Sequence, residues 1–429
     1  MDNVRWKYKC LSEPVMALIV MKFGGTSVAD IEKIENAADK VVKEVERGNK
    51  VTVVVSAMSG VTNQLVEYCS EISSLYDVRE YDTVVASGEQ VTAGLMAIAL
   101  QKRGVTARSW LGWQIPIKTN TIHGKARIEE IETKELHKRL DAGEVVVVPG
   151  FQGVTKNKRI TTLGRGGSDT SAVAMAAALK ADRCDIYTDV KGVYTADPRI
   201  VPKARMIPKI SYEEMLELAS LGSKVLQTRS VEMGAKSGVP IQVLSTFEPY
   251  LGSDLKGTLV TKEENIVEQE IVSGIAHNKD EAKVTVVGVE DKPGIAASLF
   301  EPLAKAAINV DMIVQNISSR DGKTDMTFTV PRTDLERALK TLENLKTLKY
   351  EKLIVDPKVA KVSVVGIGMR SHAGVANKMF RTLADKGINI QVISTSEIKI
   401  SVLIQEDYTE LAVRSLHSAY GLEENKKIA

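Results

Sequence analysis

Short runs of β-branched residues alternate with longer amphipathic segments from residue 17 to about residue 246. The runs are apolar throughout and too short for helices, which predicts strands buried on both faces. The predicted strands are Ala17–Met21, Val51–Ser56, Ala107–Leu111, Val145–Pro149, Arg183–Thr188 and Ile241–Leu244. The predicted helices between them are Asp30–Arg47, Tyr81–Arg103, Thr133–Ala142 and Thr170–Ala181. This order predicts an α/β domain in which helices cover both faces of a mostly parallel sheet.

The carboxyl-terminal third of the chain repeats itself. Residues 284–289 (VTVVGV) recur as residues 362–367 (VSVVGI), and residues 294–296 (GIA) recur as residues 374–376 (GVA). Each copy is patterned as strand, helix, strand, strand, helix, which is typical of a ferredoxin-like α+β sandwich. The second copy lacks its last strand, and Ile271–His277 could supply it. In that case the first copy is inserted within the second.

The division of the chain follows from these patterns. Residues 1–15 contain no apolar signal-peptide core, and they indicate a disordered extension or an alternative start upstream of Met16. The remaining predicted divisions are 16–248 for the α/β domain, 249–269 for a linker, 284–356 for the first repeat, and 270–283 with 357–429 for the second repeat.

Composition narrows the functional classes. Lys and Arg number 57 against 55 Asp and Glu, so no basic excess favours a nucleic-acid partner. Three cysteines without metal or redox spacing favour a reducing, cytoplasmic setting, and five scattered histidines argue against a histidine metal site. No apolar run approaches the roughly 20 residues of a membrane span, so we expect no membrane partner.

The first predicted strand is followed by the sequence KFGGTS at residues 22–27. A lysine at a strand end, followed by glycines and hydroxyl residues, offers a cation and bare backbone N–H groups to an anion, which suits phosphate. The alternative is a Gly-Gly turn beside an ordinary surface lysine. Ligands of parallel sheets bind at the carboxyl ends of the strands, so the other loops that follow strands bear on this choice.

A second glycine-rich turn, TLGRGGSD at residues 162–169, opens an alanine-rich helix. Arg165 at this helix N-terminus could hold a carboxylate through two hydrogen bonds. Ser168 and Asp169 are also expected to cap the helix, as these residue types commonly do. Neither glycine-rich loop matches a Walker A motif or a dinucleotide fingerprint, so P-loop and Rossmann interpretations lose support.

Further polar residues follow other strands of the same predicted sheet. Ser56 and Thr62 lie in a hydroxyl-rich loop, and Glu89 interrupts the apolar face of a helix. The sequence TDVKGVYTADPR at residues 188–199 follows a predicted strand, although its Lys-Gly and Asp-Pro pairs are also plain turn signals. Several polar strand-end loops in one sheet favour a ligand site over chance.

The two repeats carry a polar feature of their own. The turns at residues 291–294 and 371–374 each open a helix, and Asn309 and Asn389 each lie at the start of the following strand. A helix N-terminus that faces polar strand residues can hold a small zwitterion through its carboxylate and ammonium groups. The alternative is that the repeats only dimerise through their sheet edges.

Taken together, the motifs resemble one family. The sequences KFGGTS at 22–27, SAMSGVTN at 56–63, SGE at 87–89, TLGRGGSD at 162–169, TDVKGVYTADPR at 188–199 and SKVLQ at 223–227 are similar, in this order, to the motifs of aspartate kinases. The resemblance covers nearly the whole chain from Met16. It implies the three-layer α/β/α amino acid kinase fold, followed by two ferredoxin-like ACT domains of α+β type, which the tandem repeats resemble.

The resemblance implies ATP-dependent phosphorylation of the β-carboxylate of L-aspartate, the first step of lysine, threonine and methionine biosynthesis. The carboxylate is itself the nucleophile, so catalysis would rest on alignment and charge neutralisation. Lys22 would bridge the phosphates, and Asp169 would orient Lys22 or organise the reacting centre. Arg165 would hold the α-carboxylate of aspartate and Glu89 its α-ammonium group. The other implied substrate residues are Ser56, Thr62, Gly166, Gly167 and Ser168.

The resemblance also implies a nucleotide site. The Mg²⁺ ion that accompanies ATP would be held more by phosphates and water than by protein carboxylates, so no residue is assigned as a metal ligand. The sequence departs from the family at Gln227-Thr228, where His-Pro is frequent, and this leaves the contacts of that loop open. The implied ATP residues are Lys22, Gly24, Gly25, Ser27, Thr188, Asp189, Tyr194, Asp197, Arg199 and Lys224.

Regulation is a further implication. Lysine, threonine or both would bind at a dimer interface between first and second repeats, in a homodimer or a higher homo-oligomer. The effector candidates are Asp291, Gly294, Ile295, Ala296, Asn309, Gln315 and Asn316, with Asn389 and Ile390 across the interface. Two alternatives to an aspartate kinase are a related kinase that acts on another carboxylate, such as glutamate or acetylglutamate, and a non-catalytic amino-acid sensor.

Overall fold

The computed structural model describes residues 16–221, 225–266, 270–317, 322–345 and 348–423. The extension predicted at residues 1–15 and the nucleotide candidate Lys224 lie outside these residues. The strands, in chain order, are β1 (Leu18–Phe23), β2 (Lys50–Val55), β3 (Ala107–Ser109), β4 (Ile117–Thr119), β5 (Ile128–Ile131), β6 (Val145–Pro149), β7 (Gln152–Val154), β8 (Ile160–Thr162), β9 (Arg183–Thr188), β10 (Lys209–Ser211), β11 (Ile241–Ser245), β12 (Thr258–Thr261), β13 (Gly274–Glu290), β14 (Asp311–Ile317), β15 (Lys323–Val330), β16 (Lys352–Val365), β17 (Val392–Thr395) and β18 (Lys399–Gln405).

Helices connect most of these strands. The α-helices are α1 (Ile31–Glu46), α2 (Val61–Ile72), α3 (Val78–Val85), α4 (Ser87–Lys102), α5 (Lys134–Asp141), α6 (Gly167–Leu179), α7 (Tyr212–Ser220), α8 (Thr228–Ser237), α9 (Ile295–Lys305), α10 (Leu335–Glu343), α11 (Val375–Ala384) and α12 (Thr409–Ala419). Short 3₁₀ helices lie at Gly25–Val28, Gly252–Asp254, Glu263–Asn265, Arg332–Asp334, Ile367–Ser371 and Glu406–Tyr408.

The described residues divide into two compact units. The first contains the residues up to 193 together with 208–212 and 225–265, and the second contains 194–207, 213–221 and the residues from 266 onward. The sequence predicts one domain over residues 16–248, whereas two segments of that range pack with the second unit. The reason is apolar burial, because Ala196, Ile200 and Val201 lie in a core of the second unit.

The first unit is built on an eight-stranded sheet with the order β10-β12-β11-β9-β1-β2-β6-β3. Neighbouring strands are parallel except for β11 and β12, which confirms the prediction of a mostly parallel sheet. Strand β12 corrects the predicted linker at residues 249–269. Its residues are largely buried and it bonds to both β10 and β11, so this part of the range belongs to the sheet.

Helices lie on both faces of this sheet. Ile19, Met21 and Phe23 of β1 share a core with residues of α1 and α4. Side chains alternate across a strand, so Lys22 lies on the opposite face, where α6 packs against β1. This arrangement confirms the three-layer α/β/α architecture. A separate small sheet with the order β5-β4-β7-β8 was not predicted, because its strands have only three or four residues each.

The predicted helix Tyr81–Arg103 is two helices, α3 and α4, which meet at Ala86. The Ser87 hydroxyl donates to the Val84 carbonyl at 2.6 Å at this junction. Gly88 then lies so close to Ala57 that an added Cβ would be 2.8 Å from the Ala57 Cβ. The segment Val78–Lys102 is long and apolar enough to span a membrane, but more than half of its apolar window is buried in the fold, which also occurs in core helices of globular proteins.

The second unit contains a six-stranded antiparallel sheet with the order β14-β15-β13-β16-β18-β17. The start of β13 pairs with the end of β16, with Gly274 opposite Val365, so the strand predicted at Ile271–His277 does complete the second repeat. The first repeat is therefore inserted within the second. Where the sequence predicts separate strands for the two repeats, β13 and β16 each run through both of them. Helices α9 and α10 cover the first repeat, and α11 and α12 cover the second.

Candidate active site

The parallel strands of the first unit end level with one another. Phe23 at the end of β1 is opposite both Val55 of β2 and Tyr187 of β9, and Val55 is opposite Pro149 of β6. The loops that carry the predicted motifs therefore all leave the sheet at the carboxyl ends of its strands. Ligands of α/β sheets bind at these ends.

Lys22 and Asp169 meet at this edge. Lys22 Nζ lies 2.6 Å from Asp169 Oδ1, and the two side chains are 9% and 12% exposed. Asp169 lies in the first turn of α6, which begins at Gly167 and not at Thr170 as predicted. The residue before the helix, Gly166, has a left-handed backbone with φ of 67° and makes no side-chain cap. The predicted capping by Ser168 and Asp169 is therefore wrong, since the Asp169 carboxylate is directed to Lys22.

The glycines after Lys22 form a 3₁₀ turn before α1. The Gly24 N–H donates to the Tyr187 carbonyl at 3.1 Å, so that amide is already engaged. The Ser27 hydroxyl is fully buried and lies 2.5 Å from the Thr246 hydroxyl, which makes Ser27 a packing contact of the loop. Among the described residues the Gly25 N–H has no acceptor. Of the predicted anion donors in this loop, Gly25 is therefore the one that is available.

Glu89 is buried in the first turn of α4, with 3% of its surface exposed. Its Oε1 accepts a hydrogen bond from the Ala57 N–H at 3.1 Å, while its Oε2 has no partner among the described residues. Burial raises the pKa of the Glu89 carboxyl to about 7, although the hydrogen bond from Ala57 opposes this shift. The Ala57 carbonyl in turn lies 3.1 Å from the position of a Cβ at Gly25. Glu89 is thus bonded to Ala57 of the loop after β2, the residue that also approaches Gly25 of the loop after β1.

The arginine loop, the sequence TLGRGGSD at residues 162–169, makes different contacts from the loop that follows Lys22. Arg165 is exposed and makes no ion pair or hydrogen bond within the described residues. A Cβ added at Gly166 would lie 1.7 Å from the Gln227 Cγ, so the side chain of Gln227 packs directly on this glycine. The contact gives the divergent Gln227 a structural role, since only glycine fits beneath it. Gly167 and Ser168 are buried next to Phe151 and Gly150, which follow β6.

Two further substrate candidates lie after β2. The Ser56 N–H donates to the Phe23 carbonyl at 3.1 Å, which joins the second loop to the end of β1. Thr62 is half-buried in the first turn of α2. Ser56 therefore begins the loop that contains Ala57, and Thr62 lies in the helix that follows this loop.

The predicted nucleotide residues from Thr188 to Arg199 lie at the end of β9 and in the segment that follows it. In the first unit, the Thr188 hydroxyl donates to Asp189 at 3.1 Å at the end of β9. In the second unit, Tyr194 forms an isolated antiparallel β-bridge with Met206, and Asp197 forms an ion pair of 2.7 Å with Arg199. The Arg199 guanidinium lowers the pKa of the Asp197 carboxyl, and the Arg199 side chain is 89% exposed.

Sequence reasoning missed Asp82, a fully buried residue of α3. Its carboxylate accepts hydrogen bonds from Thr162 at 2.5 Å and from the Gly124 N–H at 3.1 Å, and it lies 2.7 Å from His123 Nδ1. Thr162 opens the arginine loop, so Asp82 fixes the base of that loop. No local signal distinguishes the buried Asp82 from the exposed charged residues Arg79 and Glu80 of the same helix.

The effector candidates of the first repeat lie before and at the start of α9, before β14 and within it, and Asn389 and Ile390 follow α11 of the second repeat. The Gln315 amide lies 3.5 Å from Asp291 Oδ1, and both side chains are exposed. Gly294 precedes α9 with φ of 88°, a conformation that favours glycine. Of the others, Ile295 is buried, Ala296 and Ile390 are half-buried, and Asn309, Asn316 and Asn389 are exposed.

Comparisons with known proteins agree with this architecture. Residues 17–245 match the amino acid kinase family, and residues 284–345 and 362–420 match the ACT domain. An aspartate kinase of Pseudomonas putida is 56% identical over 95% of this chain and 98% of its own length. Aspartokinase III of E. coli, solved in complex with aspartate and ADP in an R-state, has a TM-score of 0.78 at 27% identity and covers 94% of this chain and 99% of its own. The same enzyme in complex with lysine and aspartate in a T-state, over the same shares of the two chains, has a TM-score of 0.73 at 27% identity. The chain belongs to the aspartate kinases of the amino acid kinase family.

Proposed function

We propose that this aspartate kinase transfers the γ-phosphoryl group of ATP to the β-carboxylate of L-aspartate, giving 4-phospho-L-aspartate. The transfer would take place at the carboxyl ends of the parallel strands, around Lys22, Asp169 and Glu89. The observation that carries the assignment is Glu89, whose buried Oε2 has no partner within the described residues. A buried, unpaired carboxylate oxygen is costly unless a cation binds it. The α-ammonium group of a free amino acid supplies that cation.

Glu89 also separates the candidate substrates. Glutamate and aspartate both carry a free ammonium group, whereas an acetylated amino acid does not and would leave the Oε2 unpaired. Arg165, which is exposed and unpaired within the described residues, is assigned to the α-carboxylate through two hydrogen bonds. Ser56, Thr62 and the loop residues Gly166, Gly167 and Ser168 would line the same pocket.

Lys22 would neutralise charge on the transferring phosphoryl group. Its ammonium group is nearly buried and is already oriented by Asp169, so little reorganisation is needed when the phosphate charge moves. The free Gly25 N–H would add a backbone hydrogen bond to a phosphate oxygen.

ATP is the second substrate, and the nucleotide candidates extend along the chain from Thr188 and Asp189 to Tyr194, Asp197, Arg199 and Lys224. The Mg²⁺ that accompanies ATP would supply positive charge that offsets the negative charge of the phosphates. The described residues contain no group of three or more His, Cys, Asp or Glu side chains placed to hold a metal, so we assign the ion mainly to phosphate and water ligands.

The ACT repeats would confer feedback control, with lysine, threonine or both bound near Asp291 and Asn309 in a homodimer or higher homo-oligomer. A lysine complex of the related E. coli enzyme supports lysine as one effector. The free, buried thiols of Cys69 and Cys184 agree with a reducing cytoplasmic location.

Trapping acyl phosphate with hydroxylamine tests the assignment. Purified protein with Mg²⁺ and ATP should yield hydroxamate with L-aspartate, far less with L-glutamate, and none with N-acetylglutamate. Glu89→Gln, which keeps the shape of the side chain, should lose most of the aspartate reaction. If the wild-type protein formed no more hydroxamate with aspartate than the background without enzyme, the proposed function would be refuted. Equal kcat/KM for aspartate and glutamate would refute only the choice of substrate.

A further inference from the structure

We propose that Asp82 is a positioning residue for aspartate, which holds the arginine loop in a fixed place relative to Glu89. The inference rests on the proposed function and deepens it, because Glu89 and Arg165 are assigned to the ammonium and carboxylate groups on one carbon atom of the substrate. Two side chains that bind groups on the same carbon must be placed accurately relative to each other. Asp82 and Glu89 lie in consecutive helices, α3 and α4, which meet at Ala86.

The fully buried Asp82 carboxylate accepts hydrogen bonds from three groups at the base of the arginine loop. The Thr162 hydroxyl donates to Oδ1 at 2.5 Å, and the Gly124 N–H lies 3.1 Å from both oxygens. His123 Nδ1 lies 2.7 Å from Oδ2, and because a carboxylate only accepts, this nitrogen carries the proton. A buried carboxylate with three donors is confined to one position, so Asp82 joins these residues to α3.

The contact with Gly124 extends to the residue next to Arg165. A Cβ added at Gly164 would lie 3.3 Å from the Gly124 carbonyl, so the two glycines pack closely. Through Gly124, Asp82 therefore supports the turn that precedes Arg165. Burial raises the pKa of the Tyr81 phenol and the Arg165 guanidinium opposes this shift, which places the guanidinium within electrostatic reach of α3.

A second set of contacts joins the helices to the strand beside the arginine loop. Gln152 of β7 is buried and lies opposite Thr162 in the pairing of β7 with β8. Its amide nitrogen donates to the Ala86 carbonyl at 3.0 Å, and its amide oxygen accepts from Gln90 of α4 at 3.2 Å. The arginine loop and the first turn of α4 are therefore joined by two routes, through Asp82 of α3 and through Gln152 of β7.

Stability alone does not account for a carboxylate at position 82. A buried carboxylate loses hydration that its hydrogen bonds offset only in part, so an apolar side chain would stabilise the fold at least as well. The side-chain hydrogen bonds of Asp82 lead to the base of the arginine loop and to no residue assigned to ATP. Its loss should therefore weaken aspartate binding through Arg165 and leave nucleotide binding unchanged.

Asp82→Asn tests the proposal in a double-mutant cycle with Arg165→Ala. The amide keeps the shape of the side chain but replaces an acceptor with a donor, so at least one of the three contacts is lost. The KM and the calorimetric Kd for aspartate should both rise about tenfold, while the Kd for ADP should stay within about twofold of wild type. In the Arg165→Ala background the same change should raise the aspartate constants less than twofold, because the group that Asp82 positions is already absent.

Thr162→Val and Thr162→Ser keep the proposal testable if Asp82→Asn does not fold. Valine has the shape of threonine and removes only one of the three donors, so it should raise the aspartate KM about fivefold. Serine restores the hydroxyl and should return this KM to within about twofold of wild type. An aspartate KM that is the same in all three proteins would overturn the proposal.

Glu44→Gln is the matched control. Glu44 of α1 is also fully buried and also has three donors, the Ser253 hydroxyl at 2.8 Å, the Ser253 N–H at 3.3 Å and the Asn49 amide at 2.7 Å. None of these groups lies in the arginine loop. Glu44→Gln should therefore lower the Tm without raising the aspartate KM.

Three results with Asp82→Asn would overturn the proposal. The aspartate constants could stay unchanged, the aspartate and ADP constants could rise equally, or the full effect could add to that of Arg165→Ala, as a purely structural role requires. Calorimetry measures aspartate binding without phosphoryl transfer. A wild-type protein that binds aspartate but forms no hydroxamate would thus refute the proposed function, while the binding cycle would still decide the role of Asp82.

Discussion

The Lys22 ammonium and the Asp169 carboxylate lie 2.6 Å apart, although 146 residues separate them in the chain, and both are almost excluded from water. The pair joins the first strand of the sheet to the N-terminus of α6. A nearly buried ion pair contributes little net stability, since desolvation offsets most of its attraction. We therefore propose that the pair serves to hold Lys22 in one orientation before substrates bind.

Lys22→Ala should lower kcat by about a hundredfold or more while changing the Kd for ATP by less than about tenfold. Lys22 is proposed to neutralise the negative charge that moves during phosphoryl transfer, so the loss should fall on the chemical step. Single-turnover phosphoryl transfer and equilibrium ATP binding measure the two effects separately. Lys33→Ala, at a lysine of α1 in an exposed pair with Asp30, serves as the control and should be close to wild type. An unchanged kcat in Lys22→Ala would remove this residue from the mechanism.

Arg165→Ala should raise the KM for aspartate by roughly a hundredfold, the scale of a lost two-bond contact between a guanidinium and a carboxylate. The ATP KM should stay within about threefold of wild type, because Arg165 is assigned to the amino acid alone. Arg159→Ala is a suitable control, since Arg159 is an exposed arginine of the same unit paired with Glu80. A rise confined to the ATP KM would show that the carboxylate contact has been assigned to the wrong residue.

Strands β1, β2 and β6 could be predicted from sequence because they are largely apolar runs rich in β-branched residues. Residues 145–149 and 183–188 were predicted with the bounds that the structure has. Strand β12 was missed because four residues pairing with distant strands leave no local periodicity. The packing of residues 194–207 with the second unit depends on tertiary contacts, such as that between Thr195 and His417, which lie 222 residues apart.

The candidate site was predictable in residue type but not in geometry. Glycines, Lys22 and Arg165 stand out because their chemistry is unusual at strand ends. The residue pattern predicted that Asp169 caps its helix, and only the resemblance to aspartate kinases implied that it would orient Lys22. The contact between the two side chains is a tertiary one that no local pattern contains. Asp82 could not be identified, because α3 also contains the exposed charged residues Arg79 and Glu80 and the pattern does not show which charged residue is buried.

Lys361→Met should destabilise the regulatory repeats. Lys361 is 5% exposed and lies 2.8 Å from Glu281 and 2.6 Å from Asp311. Burial opposes the charged form of Lys361, but the two carboxylates outweigh this effect, so the pKa of Lys361 is raised. Removing the lysine leaves the buried Glu281 uncompensated, at a cost of about 3–5 kcal/mol. Scanning calorimetry should show a Tm several degrees lower for the transition of these repeats.

Two further variants identify the cause of that loss. Lys340→Met removes a lysine from an exposed helical pair with Glu336, and it should leave the Tm within about one degree of wild type. Glu281→Gln combined with Lys361→Met should be more stable than Lys361→Met alone, because the uncompensated charge is gone. If the double variant were the less stable, packing and not charge would explain the effect.

Glu89 should make both stability and aspartate use depend on pH near neutrality. Its pKa rises from 4.5 to about 7 in the folded protein, so the folded state holds an extra proton between these values. The stabilisation is fully present below pH 4.5 and is lost as pH rises through 7, amounting to at most about 3 kcal/mol. Glu89→Gln cannot ionise. Its Tm relative to wild type should therefore be higher at pH 8 than at pH 5.

Activity should follow the opposite course. If Glu89 binds the α-ammonium group of aspartate as proposed, it must be ionised, so kcat/KM for aspartate should fall up to tenfold per pH unit below about pH 7. The KM for ATP, measured at saturating aspartate, should not show this titration, because Glu89 is assigned to the amino acid alone. Glu89→Gln should have a low kcat/KM for aspartate without the inflection near pH 7. If the inflection persisted in this variant, another group would have to be the one that titrates, and Glu89 would lose its assignment to the ammonium group.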